Sequence, residues 1–244
     1  MWDIEQLRRF GDDGYIVVRD VVPADVLAAA TLRVDALARQ RPPAPDHTGH
    51  HFYFEPGRRE PDLLGLLTGS PAWELAAGLT APRTLQVPDQ VQVALTYPPH
   101  PPRPGRGHID GISPPEPDGR PGTFTMLAGF ILSDQSEDDM GNLCVWPGSH
   151  RQIASYFAKA GPDAILATGG YPPADHDRMV QVHANPGDLV LASYLLSHNI
   201  GANTSAVLRK SVYFRLKTVS HDRSWRDYVQ DELYEFEPVR AALS

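Results

Sequence analysis

Val207-Leu208-Arg209-Lys210-Ser211-Val212-Tyr213-Phe214-Arg215-Leu216-Lys217-Thr218-Val219 is the stretch from which the fold can be read. Successive side chains of an extended chain point to opposite sides. Arg209, Ser211, Tyr213 and Arg215 therefore share one face, and Val212, Phe214 and Leu216 share the other. The apolar face needs a core to cover it. The polar face either meets solvent or, in a jelly roll with helices packed outside, lines an internal cavity. We favour the cavity.

Working outward, further β-favouring runs occupy 90–97, 123–132, 143–146, 179–183 and 188–194. Turn-forming segments at 98–107, 114–122, Pro147-Gly148, Gly169-Gly170 and Pro186-Gly187 separate them. Nearer the N-terminus the texture is different. Short helices are predicted over 4–10, 24–39 (opened by Pro23) and 62–79, with one early strand at 14–18. The Pro-, His- and Arg-rich stretch 41–61 reads as an irregular loop, in which His47, His50 and His51 face solvent or substrate. Helices first and many short strands after predict a mostly β fold with flanking helices. The expected form is a double-stranded β-helix (jelly roll, cupin-like) buttressed by N-terminal helices. All of 1–244 is assigned to one domain: a helical part over about 1–85, a jelly-roll core over about 86–220 and a C-terminal extension over about 221–244.

Composition narrows the function classes. At 244 residues, 41% hydrophobic and 21% charged, the chain can bury a core of its own. A net charge of −8 argues against nucleic acid or an anionic membrane as partner. No apolar run approaches the ~20 residues that span a bilayer, and 1–10 carries charges instead of a signal-like run. A cytoplasmic location, a small-molecule substrate and a monomeric or homodimeric state are the expectations. The single cysteine, Cys144, excludes an internal disulfide and any cysteine-rich zinc or iron–sulfur site. Within Leu143-Cys144-Val145-Trp146 it reads as a buried, inert thiol.

The chemistry concentrates at His108-Ile109-Asp110. On an extended segment, positions i and i+2 project together, so an imidazole and a carboxylate can grip one ion. A second histidine would complete a facial set that leaves three octahedral positions open, as suits non-haem Fe(II). His198 is the strongest candidate, because it is read as ending the strand 188–194 and so as sitting on a rigid element. His183 is the next choice.

The motifs around this triplet resemble those of the phytanoyl-CoA dioxygenase family of Fe(II)/2-oxoglutarate oxygenases. Phe10-x-x-x-Gly14-Tyr15-Ile16-Val17-Val18 with Val22-Pro23 is similar to its opening. The run from Gly141 through Pro147-Gly148-Ser149-His150 resembles its hallmark strand and turn. Pro186-Gly187-Asp188-Leu189-Val190 followed by His198, Asn203, Ser205 and Arg209 resembles its distal motif. The likeness runs from about Leu7 to Leu216. It implies His108, Asp110 and His198 as iron ligands, with 2-oxoglutarate and O2 as co-substrates. It also implies that Arg209 anchors the far carboxylate of 2-oxoglutarate, a role that suits the bidentate guanidinium fork. Arg215, six residues on and on the same face, is the competing anchor.

Two positions depart from the family pattern. Gly107 stands where an aromatic residue is usual, and Ile200 where a small hydroxyl is common. Gln92 and Thr96, which share a face of the strand 90–97, are assigned to further 2-oxoglutarate contacts. Gln90 and Arg215 are assigned to substrate. Asp110 argues for hydroxylation over chlorination, since related halogenases have Gly or Ala there. The Pro147–His150 turn reads as architectural. Two other readings remain: a cupin-like metalloenzyme that does not use 2-oxoglutarate, against which Arg209 counts, and a non-catalytic binding protein of the same fold.

Overall fold

The computed structural model describes every residue except Ser113. Its main sheet is built around β10 (Arg209–Thr218), the strand read above. Val212, Phe214 and Leu216 are all fully buried, and the Phe214 ring meets Phe130 edge-on at 5.8 Å. Each such side chain removed from water stabilises the fold by about 1.5–3 kcal/mol. The opposite face is covered too: Arg209, Ser211 and Tyr213 are buried, so that face lines the interior.

The other strands of this sheet are β1 (Tyr15–Val18), β2 (Gly49–Pro56), β3 (Leu85–Gln86), β4 (Gln90–Tyr97), β5 (Met126–Ile131) and β8 (Leu189–Ser193). They run in the order β1-β8-β5-β10-β4-β2, with β3 added on β10. A second sheet holds β6 (Leu143–Val145), β7 (Val180–Gln181) and β9 (His198–Ile200) in the order β7-β6-β9. Every strand pairing is antiparallel. This is a jelly roll whose sheets do not close. Arg209 stands opposite Thr96 and Tyr213 opposite Gln92, so the β10–β4 register collects the polar candidates on one patch.

Helices cover the outside. They are α1 (Ile4–Asp13), α2 (Ala24–Gln40), α3 (Pro61–Thr68), α4 (Ala72–Thr80), α5 (Ser149–Ala160), α6 (Ala164–Ala167), α7 (His221–Gln230) and α8 (Glu237–Leu243). Asp3 and Gln6 form a capping box at the start of α1, and Gly14 ends that helix at φ 82°, a conformation that favours glycine. Residues 221–244 are built into the helical layer: α8 lies against α1 and α4, and α7 against α5. Among the described residues, no helix is long and apolar enough to cross a membrane.

Several expectations are corrected. The stretch 41–61 contains β2, the edge strand beside β4, whose aromatic residues outweigh the prolines at its margins. His50 and His51 are therefore strand residues on opposite faces, not residues of an irregular loop. The helix expected over 62–79 breaks at Gly69-Ser70-Pro71 into α3 and α4. His198 does not end the strand that precedes it. The chain reverses after β8, and His198 opens β9 in the other sheet. The Pro147–His150 turn does more than close a strand, since Ser149 begins α5.

Candidate active site

His108 and His198 are locked together by reciprocal backbone bonds. His108 N donates to the His198 carbonyl at 3.1 Å, and His198 N to the His108 carbonyl at 3.0 Å. Their rings lie 4.8 Å apart. Ile109 is buried in the core, so His108 and Asp110 turn the other way together. Asp110 Oδ1 is 3.5 Å from His108 Nε2 and 3.7 Å from His198 Nε2. One ligating atom from each of the three residues falls within 4.8 Å of the others. His198 Nδ1 lies 3.0 Å from the Leu196 carbonyl, a bond that places the ring proton on Nδ1 and leaves the Nε2 lone pair for a metal.

The electrostatics suit a cation. Burial by itself would raise the Asp110 pKa, but bonding to His108 and His198 and the charge of Arg215 outweigh it and hold the carboxylate well below its usual range. Burial likewise works against a charged His198, yet the hydrogen bond and charge of Asp110 raise its pKa overall. A field that draws a proton to this point also draws a divalent ion.

The triad opens on a cavity of about 380 Å³. Its walls are His50, Phe52 and Phe54 of β2, Gln92 of β4, Leu127, Leu143, Ile200, and Tyr213 and Arg215 of β10. Arg209 lies behind this lining. It is fully buried, Nη1 donating to the Ala94 carbonyl at 3.1 Å and Nη2 to the Tyr213 hydroxyl at 2.6 Å, while Nε has no partner. Among the described residues, no carboxylate pairs with it. Arg215 differs: its Nη2 donates to Asp110 Oδ2 at 2.9 Å. The two candidate anchors are thus distinguished by their partners.

Residues 85–211, just over half of the chain, match the family model described as Phytanoyl-CoA dioxygenase (PhyH). The chain belongs to the phytanoyl-CoA dioxygenase family. No curated protein matches its sequence. Solved structures share the fold at low identity. HygX from Streptomyces hygroscopicus, crystallised with nickel and 2-oxoglutarate, has a TM-score of 0.63 at 16% identity, over 90% of this chain and 88% of that one. The non-heme alpha-ketoglutarate-dependent epimerase SnoN from nogalamycin biosynthesis gives 0.62 at 19%, over 88% and 81%. EctD from S. alaskensis, with 2-oxoglutarate and 5-hydroxyectoine, gives 0.59 at 18%, over 90% and 77%.

The departures from the pattern of the phytanoyl-CoA dioxygenase family have a steric reading here. A Cβ on Gly107 would come within 2.5 Å of the Trp146 ring and 2.8 Å of Ser197 Cβ. Trp146, buried beyond β6, fills the space that an aromatic side chain at 107 would need. Ile200 adds an apolar side chain to the cavity wall in place of a hydroxyl.

Of the remaining candidates, Thr96 is buried opposite Arg209 and Gln92 faces the cavity. Gln90 is exposed in an adjoining charged groove that also contains Asp89, Glu116, Arg120 and Lys217. His183 pairs with Asp138 at 2.8 Å and takes no part in the triad. His150 is buried, with Nε2 3.1 Å from the Gly11 carbonyl, an architectural position. Burial pushes the Cys144 thiol up to about 12, which leaves it inert.

His50, expected to face solvent or substrate from an irregular loop, lies instead on strand β2 in the cavity wall. Its Nδ1 lies 3.1 Å from Thr96 Oγ1, and its ring stands 4.6 Å from that of His100. Burial, with the nearby charges of His100 and Arg209, brings its pKa down to about 4, so it is neutral at pH 7. The signal in the sequence was the spacing of His50, Phe52 and Phe54, three rings at alternate positions.

Proposed function

We propose that this protein is an Fe(II)- and 2-oxoglutarate-dependent dioxygenase that hydroxylates a small molecule, such as an amino acid or a natural-product intermediate. The observation that carries the reading is Arg209. A fully buried guanidinium without an acidic partner is expensive, and a carboxylate-bearing ligand is the natural compensation. His108, Asp110 and His198 would hold the iron on one face. Arg209 would grip the distal carboxylate of 2-oxoglutarate at the contact it now makes with the Tyr213 hydroxyl, with Thr96 and Gln92 alongside. Bound together, iron, 2-oxoglutarate and O2 supply an oxidant strong enough to take hydrogen from an unactivated C–H bond.

The protein's own share is to bind, orient and exclude water. Phe52, Phe54, Leu127, Leu143 and Ile200 form an apolar wall facing the triad, suited to the hydrocarbon part of a substrate. Acyl-CoA is disfavoured because the arginines that could cradle its phosphates are partly engaged. Arg103 pairs with Asp139, and Arg106 donates to the Tyr171 carbonyl and covers its ring. Asp110 supports hydroxylation over halogenation.

Anaerobic titration with Fe(II), then with 2-oxoglutarate, tests the class. A weak visible metal-to-ligand band should emerge only when both are present. Iron binding with no such band would move the protein to the cupin-like metalloenzymes.

A further inference from the structure

We infer that Arg215 is a positioning residue for Asp110, holding Oδ2 so that this carboxylate meets a metal through Oδ1 alone. The inference rests on the metal-binding reading of the triad. The two Asp110 oxygens have different surroundings. Oδ1 faces both histidines, at 3.5 and 3.7 Å, while Oδ2 accepts from Arg215 Nη2 at 2.9 Å. Charge-assisted bonds of this length fix orientation as well as adding energy.

Arg215 is itself held in place. Its guanidinium lies over the Phe124 ring at 5.5 Å, and Phe124 meets Tyr194 edge-on at 4.7 Å. The Tyr194 hydroxyl in turn donates to the Asp110 backbone carbonyl at 3.0 Å. Phe124 and Tyr194 are fully buried. One connected stack thus grips Asp110 twice, at its main chain and at its side chain, and Arg215 is the only part of the stack that touches the carboxylate.

The consequence is a count of open positions. A facial set of two imidazoles and one carboxylate oxygen leaves about three octahedral positions free, and a carboxylate that swings to bidentate binding leaves about two. An enzyme that must seat a bidentate co-substrate and O2 together needs all of them. Oδ2 occupied by Arg215 is not available to the ion.

The test uses Mn(II), a redox-quiet probe, and counts rapidly exchanging metal-bound waters by proton relaxation. The wild type should hold about three, Arg215→Met about two, and Arg215→Lys, which keeps a cation, about three again. A count unchanged in the Met variant, or lowered equally in Met and Lys, would overturn the proposal. Circular dichroism checks folding, and Arg215→Leu, which also lacks a donor, replaces the Met variant if that one does not fold. His198→Ala is the control that separates the two readings. If it binds Mn(II) as wild type does, the metal assignment fails. If it loses Mn(II) while Arg215→Met keeps its waters, only the role of Arg215 fails.

Discussion

At the scale of single residues, the site divides into what spacing can show and what only register can. The i, i+2 spacing of His108 and Asp110 was enough to bring them to one side, whereas His198 was read as ending the strand 188–194 and in fact opens β9 of the other sheet. The bond from Arg215 to Asp110 spans 105 positions and depends on how β10 slides against its neighbours, so no local pattern carries it. The same register separates the two arginines, giving Arg215 a carboxylate and leaving Arg209 without one. Arg209→Ala should therefore weaken 2-oxoglutarate binding sharply, with little change in metal affinity. Leaving a buried carboxylate unpaired costs roughly 3–5 kcal/mol, or about two to three and a half decades in Kd at ~1.4 kcal/mol per decade. Arg209→Lys should fall between, keeping the charge but losing the fork. Calorimetric titration with Mn(II) in place of iron measures both constants, and an unchanged 2-oxoglutarate Kd in Arg209→Ala would remove Arg209 from the anchor role.

At the scale of elements, strands with strict alternation were legible and those hidden by proline and histidine were not. β10 was found from its two faces. β2 was lost inside 41–61 because prolines at both margins look like loop, although Phe52 and Phe54 alternate with the buried Tyr53. The α3–α4 break at Pro71 was smoothed over because apolar spacing continues on both sides of it. What holds this corner is a bidentate pair in which Arg33 of α2 donates from Nε and Nη2 to Glu60, just ahead of α3. The Glu60 side chain is only 4% exposed, while that of Arg33 is 26% exposed. Removing the cation leaves a buried carboxylate alone, so Arg33→Met should destabilise the fold by about 3 kcal/mol, the low end for a broken buried pair. Adding Glu60→Gln to that variant should recover part of the loss, since no charge is then stranded. Urea midpoints of the two variants decide it, and a double variant less stable than the single would show that the pair itself is not the source.

At the scale of the whole molecule, the two ends of the chain meet on the same layer. The C-terminal segment, about 221–244, read as an extension, yet Trp225, Tyr228 and Val229 are buried at helical spacing and mark a face that must be covered. That face closes over the sheet through a buried cluster centred on Glu235, which accepts from the Thr125 and Thr218 hydroxyls and bonds His221 Nδ1. His221 reaches on to Thr123 through Nε2, so α7 and the segment before α8 are tied to the adjoining ends of two neighbouring central strands, β5 and β10. Burial alone would raise the Glu235 pKa, but the bonds from His221, Thr125 and Thr218 outweigh it and leave it below its ordinary 4.5. The sign follows from linkage: a carboxylate with a depressed folded-state pKa favours the native state above its unfolded value, and that contribution is lost as pH falls through the folded value. Glu235→Gln should therefore be less stable than wild type near neutral pH, by about 1.5–3 kcal/mol for a hydrogen-bonded buried charge. The gap should narrow as pH drops below about 4.5, because the unfolded chain takes up the proton first and the native carboxylate follows at its lower value. Denaturant midpoints of both proteins from pH 7 down to about 3 give the comparison directly. A gap of the same size at both ends would mean that Glu235 acts through shape and neutral hydrogen bonds alone, and that its ionisation contributes nothing to closing the helical layer.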